Sequence, residues 1–132
     1  MSKRIQWLRI VLFGALAFVA ACGSNAPEHV AQQFITHLQK REISSAMELV
    51  SKESRSALGD AKLRSNLAQA SEASEMRYFS HASAGDSAVS SDGRSATVKL
   101  ISKDGDREWK MGDAHLLKEG GDWKIDLSDM VQ

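Results

Sequence analysis

The chain is 132 residues long, enough for one domain, and carries 17 basic residues against 17 acidic ones with 42% of its residues hydrophobic. That balance, with no concentrated basic patch, argues against nucleic-acid binding. A single cysteine excludes an internal disulfide and an all-thiolate metal site.

The first nine residues hold Lys3, Arg4 and Arg9 and no acid, and Ile10 to Ala21 then runs uncharged. This is the charged and apolar pattern of a secretion signal. Twelve residues rise only about 18 Å as a helix, short of a hydrocarbon core of roughly 30 Å, so a stable membrane span is disfavoured. The run ends in Val19, Ala20, Ala21 and Cys22, which resembles the lipobox of bacterial lipoproteins: an aliphatic residue, two small residues, then cysteine. The resemblance implies a signal peptide over 1–21, cut before a Cys22 that carries lipid, including palmitate. Two or three acyl chains anchor a protein where one does not, since each buried methylene adds about 0.8 kcal/mol.

Residues 22–26 then form a tether of at most roughly 17 Å, and 27–132 a single domain close to the headgroups. Gly23 after the cysteine resembles Gram-negative lipoproteins sent to the outer membrane, so the expected address is the bacterial envelope, on an outer membrane facing the periplasm. Loss of the three leader cations leaves 14 basic against 17 acidic residues, a net charge of −3.

In PEHVAQQFITHLQKRE, Val30, Phe34 and Leu38 recur every fourth residue and Ala31 and Ile35 widen the stripe, predicting a helix opened by Pro27. ISSAMELVSKESRSAL predicts a second, with Ser45 and Glu48 at capping-box spacing. Gly59 interrupts, Asp60 can cap, and Leu63, Leu67 and Ala70 mark a third.

After Glu75 the pattern becomes strands separated by the turn signals AGDS at 84–87, SDGR at 91–94, KDGD at 103–106 and EGGD at 119–122. The serine-rich stretch 71–95 is expected as a mobile hairpin and contact surface. Ala96, Val98 and Leu100 alternate with polar residues, as do Trp123, Ile125 and Leu127, which predicts half-buried antiparallel strands. In REWKMGDAHLLK, Trp109 and Met111 share one parity whereas Ala114 and Leu116 share the other. A β-bulge at Gly112 would return both pairs to one face and curve the sheet.

Helices first and then a curved antiparallel sheet, with FITHLQKREISSAMELVS at the opening and the terminal hairpin LLKEGGDWKIDL, resemble small lipoproteins of the nuclear transport factor 2-like (cystatin-like) superfamily, over Pro27 to about Leu127. The resemblance implies an α+β cone: N-terminal helices packed on a curved antiparallel β-sheet, with a cavity at the open end. The short chain and few aromatics leave open whether that cavity is filled. Related cones often pair through their sheets, which makes a homodimer one expected partner arrangement.

Four histidines raise the question of a metal. His29 and His37 lie eight residues apart on one helix, about 12 Å, too far to share an ion, and nothing is spaced to complete a set with His81 and His115; no metal and no cofactor is expected. Some relatives are isomerases or dehydratases with a polar residue inside the cone. By that resemblance Tyr78, His81, Asp113 and His115 are pocket candidates, with Asp113 and His115 the acid-base candidates; the alternative is that Asp113, following Gly112, only shapes the bulge and that both histidines are solvent-facing strand residues. No GxSxG elbow is present. Trp109 and Trp123 share parity with apolar neighbours, which favours the core, with pocket lining as the alternative. Phe34, Tyr78, Trp109 and Trp123 are therefore the candidate lining residues.

The expected function is that of a non-enzymatic, membrane-anchored envelope lipoprotein that binds a protein partner or a small apolar ligand through its cone. The alternatives are a small isomerase- or dehydratase-type enzyme and an envelope assembly or inhibitory factor.

Overall fold

The structure, a computed structural model, describes residues 26–72 and 81–128. Cys22 and Tyr78 lie outside the described residues. Four helices precede four strands: α1 Pro27–Gln39, α2 Ile43–Glu48, α3 Lys52–Leu58 and α4 Asp60–Glu72, then β1 Ala82–Val89, β2 Ser95–Asp104, β3 Arg107–Glu119 and β4 Asp122–Asp126. The strands form one antiparallel sheet in the order β1-β2-β3-β4. The fold is thus α+β, helices packed on a curved antiparallel sheet.

The expected stripe builds α1: Val30, Ala31, Ile35 and Leu38 are buried, and Pro27 occupies the first turn, where its missing N–H costs nothing. The helix ends with Arg41 in the left-handed region at φ 61, and Glu42 N donates to His37 O at 2.8 Å. This six-residue loop usually employs glycine.

The predicted second helix is two helices. Between them Leu49 to Ser51 runs along the sheet edge, where Val50 makes a parallel bridge to Ile125, Ser51 N donates to Ile125 O (2.8 Å) and Ile125 N donates to Leu49 O (2.7 Å). A helix through this point would have left the outer edge of β4 without these backbone partners, so the chain breaks here: Leu49 ends α2 in the right-handed helical region (φ −87, ψ −8), and the backbone of Leu49 to Ser51 then pairs with Ile125.

The cap that operates is accordingly Ser51, whose Oγ accepts from Ser54 N at 3.1 Å, rather than the expected Ser45–Glu48 box. Both oxygens of the Glu119 carboxylate accept from Lys52 N at 3.1 Å, adding negative charge to the same helix end. In α4, Leu63 and Leu67 are buried but Ala70 is exposed; the third inward position is Ser71, whose Oγ donates to Leu38 O at 2.9 Å.

The bulge in β3 is where the alternation placed it. Leu100 pairs with Gly112 and Ile101 with Lys110, so Met111 is the extra residue, and Gly112 has φ 154, which side chains rarely adopt. Trp109 thereby returns to the face shared by Ala114 and Leu116. The AGDS signal, expected as a turn, is instead a second bulge inside β1: Ala84 pairs with Leu100 and Ser87 with Val98, leaving Gly85 and Asp86 opposite Lys99. The latter half of the serine-rich stretch expected as a mobile hairpin is therefore an edge strand. Its outer edge is partly closed by α1, since Ala84 N donates to Gln32 Oε1 (2.8 Å) and Gln39 Nε2 donates to Ala82 O (3.3 Å).

Two buried clusters result. One lies among the helices and is built from Leu38, Ala46, Met47, Val50, Leu58, Leu63 and Leu67. The other joins α1 to the sheet through Val30, Ala31, Ala96, Val98, Leu116, Trp123 and Ile125. Phe34 and Leu127 pack against both.

Candidate functional site

Between α1 and the sheet lies a cavity of about 230 Å³. α1 contributes Ala31, Phe34 and Ile35, which follow one another round its inner face at helical spacing. Leu100 and Ala114 close the side formed by β2 and β3, and Ile125 and Leu127 the side formed by β4. The bulge at Met111 lies between Lys110 and Gly112, beside this wall, and carries the strand away from the helix. The volume exists because two inward positions hold alanine: Ala31, 1% exposed, and Ala114 stand among neighbours of the size of Val30, Ile35 and Leu116. For scale, an apolar cavity of about 150 Å³ stays dry and admits benzene.

β3 passes the cavity from Asp113 to His115, with Ala114 turned to its interior. Pairing places Asp113 opposite Lys99 and His115 between Thr97 and Asp126, so both candidate acid-base residues share the face of the sheet turned away from α1. Both are exposed, and Asp113 Oδ1 lies 3.2 Å from Lys110 Nζ. Both residues border the cavity, as does Asp126, but the bulge that aligns Trp109 with Ala114 by the same step turns positions 113 and 115 to the other face, in keeping with the reading of them as a bulge residue and a solvent-facing strand residue.

Asp126 is held by donors. Its Oδ1 accepts from Ser54 Oγ (3.2 Å) and Ser128 N (3.0 Å), while Ser54 Oγ accepts from Leu127 N (2.8 Å) and from Ser51 Oγ (2.9 Å). Ser51 and Ser54 are both fully buried, and this network ties α3 to the end of β4.

Of the candidate lining residues, Phe34 lies in the cavity wall. Trp123 is 6% exposed and belongs to the core beside the cavity, with Lys118 Nζ 5.3 Å from its ring centroid. Trp109, expected in the core or the wall, is 37% exposed. It faces inward opposite Ser102 but near the tip of the β2–β3 hairpin, while α1 reaches the sheet only as far as Ala82, the residue paired with Ser102. His81 and His29 are exposed, and His37 Nδ1 lies 3.1 Å from Glu42 Oε1 at the end of α1. Among the described residues no three His, Cys, Asp or Glu side chains converge on one point, and no helix is long and apolar enough to cross a membrane. Sequence reasoning named Phe34, Asp113 and His115, which border the cavity, but not Ala31, Leu100, Ala114 or Ile125. The available signal was small side chains at inward positions, which hydrophobic periodicity does not weigh.

No protein-family profile matches the sequence, and no curated protein matches it. Among solved structures the fold is similar to a crystal structure from Campylobacter jejuni described as a "Putative NTF2-like transpeptidase", at 15% identity and a TM-score of 0.59, covering 79% of this chain and 100% of that one. At that identity the likeness is one of fold, and the fold is nuclear transport factor 2-like.

Proposed function

We propose that this chain is a non-enzymatic binding protein of the bacterial envelope, held at a membrane by lipid on Cys22 and receiving a small apolar group in the cavity beneath α1. The cavity carries this reading: about 230 Å³ walled mainly by Ala31, Phe34, Ile35, Leu100, Ala114 and Ile125 can desolvate a hydrocarbon, while Asp113, His115 and Asp126 border it on strand positions whose parity turns their side chains to the other face. A site built for acid-base chemistry would aim a titratable side chain into the same space. Here Asp113 and His115 lie on the opposite face and Asp113 is engaged by Lys110. The transpeptidase description belongs to the structural neighbour. Acyl transfer needs an activated nucleophile facing the substrate, and among the described residues lining the cavity none is serine, threonine, cysteine or lysine.

Ligand-linked melting tests the cavity, because a molecule that binds only the folded state raises its melting temperature. Toluene at saturation is expected to raise the melting temperature of the unmodified protein and to raise that of Ala114→Leu by less. No rise in either would remove the ligand reading. The address is tested separately with a fatty-acid probe in cells: Cys22→Ala should abolish labelling, and membrane attachment that persists after correct cleavage would overturn the lipid assignment.

A further inference from the structure

The ligand chemistry can be narrowed from the wall itself. On the reading that the cavity binds an apolar group, we infer that its occupant is the uncharged end of a single alkyl chain, and that the cavity accommodates about nine carbons.

Size follows from volume. Six ring carbons occupy a dry cavity of about 150 Å³, roughly 25 Å³ each, so the observed cavity of about 230 Å³ holds about nine. Charge follows from the lining. The side chains turned inward are aliphatic or, at Phe34, aromatic, and a buried ionised group without a partner would carry a large desolvation cost. The cavity borders Asp113, His115 and Asp126, but parity turns all three to the far face, and Asp126 is already held by Ser54 and Ser128. The hydrocarbon end therefore enters and any polar head stays outside. A single chain is specified because the space is one continuous pocket between a single helix and the sheet, whereas two further concavities are lined mainly by polar residues, Lys52, Arg55 and Asp60 in one and Ser95, Thr97, His115 and Asp126 in the other.

The test titrates the full chain, carrying Cys22→Ala to leave it without lipid, with straight-chain alcohols from butanol to dodecanol. Binding is read at the methyl groups of Ala31 and Ala114 by nuclear magnetic resonance, which separates the cavity from other apolar sites. Affinity should rise about fourfold per added methylene up to about nine carbons, and by less than about twofold per methylene beyond. Ala114→Leu should move that break down by about three carbons; Ala114→Val, a smaller change, should move it by about two. A fourfold gain continuing to twelve carbons, or a break at five, would overturn the size assignment while leaving apolar binding intact. No response at either methyl with any alcohol would overturn both.

Discussion

The two buried clusters share a helix and differ in how they are filled. Below α1 toward the other helices, Leu38, Met47, Val50, Leu58, Leu63 and Leu67 pack large aliphatic side chains around a single alanine, Ala46. Toward the sheet, the same helix meets Ala96 and Ala114 with its own Ala31, and a cavity of about 230 Å³ lies beside them. Position on the helix does not separate these outcomes, since Ala31 and Leu38 are both buried inward residues two turns apart. Side-chain volume does. One side of α1 holds the molecule together and the other keeps room.

The strongest way to expose that contrast is to change volume on each side. Leu63→Ala removes a side chain that is 0% exposed from the helical cluster and should cost about 3 kcal/mol in chemical denaturation. Ala114→Leu adds about the same volume on the sheet side, where space is present, and should stay within about 1 kcal/mol of the unmodified protein. Equal losses from both changes would mean that the cavity side is as tightly filled as the helical side.

A smaller effect is expected at the bulge that shapes the wall. A Cβ on Gly112 would meet nothing within 4 Å, so Gly112→Ala is opposed only by the positive φ and should cost about 1–2 kcal/mol in thermal melting. Just past the C-terminal end of α1, Arg41→Gly relieves a left-handed backbone and should stabilise by about 0.5–1 kcal/mol; destabilisation would mean that the Arg41 side chain contributes more than its backbone costs.

The least effect belongs to the β1–β2 turn, remote from the helical cluster. Ser90 Oγ donates to the Asp92 carboxylate, Arg94 N adds a bond at 3.1 Å, and the Arg94 charge lies nearby, together holding the Asp92 pKa below its usual value of 3.8. A depressed folded-state pKa stabilises above the unfolded value and is lost as pH falls through the folded one. Amide exchange at Arg94 should therefore quicken only below about pH 3.8, with no matching change at Leu63.

Much of the architecture was legible in the sequence because it rests on periodicity. The α1 stripe, the alternation in β2 and β4 and the parity break at Gly112 each follow from which side of an element must be buried. The break at Leu49 to Ser51 was not legible, since it answers to Ile125 on the edge of β4, about 75 residues away in the chain, and local pattern there supports helix. AGDS misled for a related reason: glycine and aspartate suit a bulge as well as a turn, and only pairing with β2 decides between them. For the site, Phe34 was visible as an inward aromatic. Asp113 and His115 were legible both as pocket candidates and as a bulge residue beside a solvent-facing strand residue, and only the pairing of β3 with its neighbours separates the two. The cavity itself depends on Ala31 and Ala114, and small apolar residues read alike in a filled core and an open one.

The central claim is that the sheet side of α1, and not the helical side, receives hydrocarbon. Methyl spectra recorded with and without octanol test it most directly. The claim predicts shifts at Ala31, Ala114 and Ile125 with Leu63 and Leu67 unmoved; shifts centred on Leu63 and Leu67, or none at the three wall residues, would contradict it.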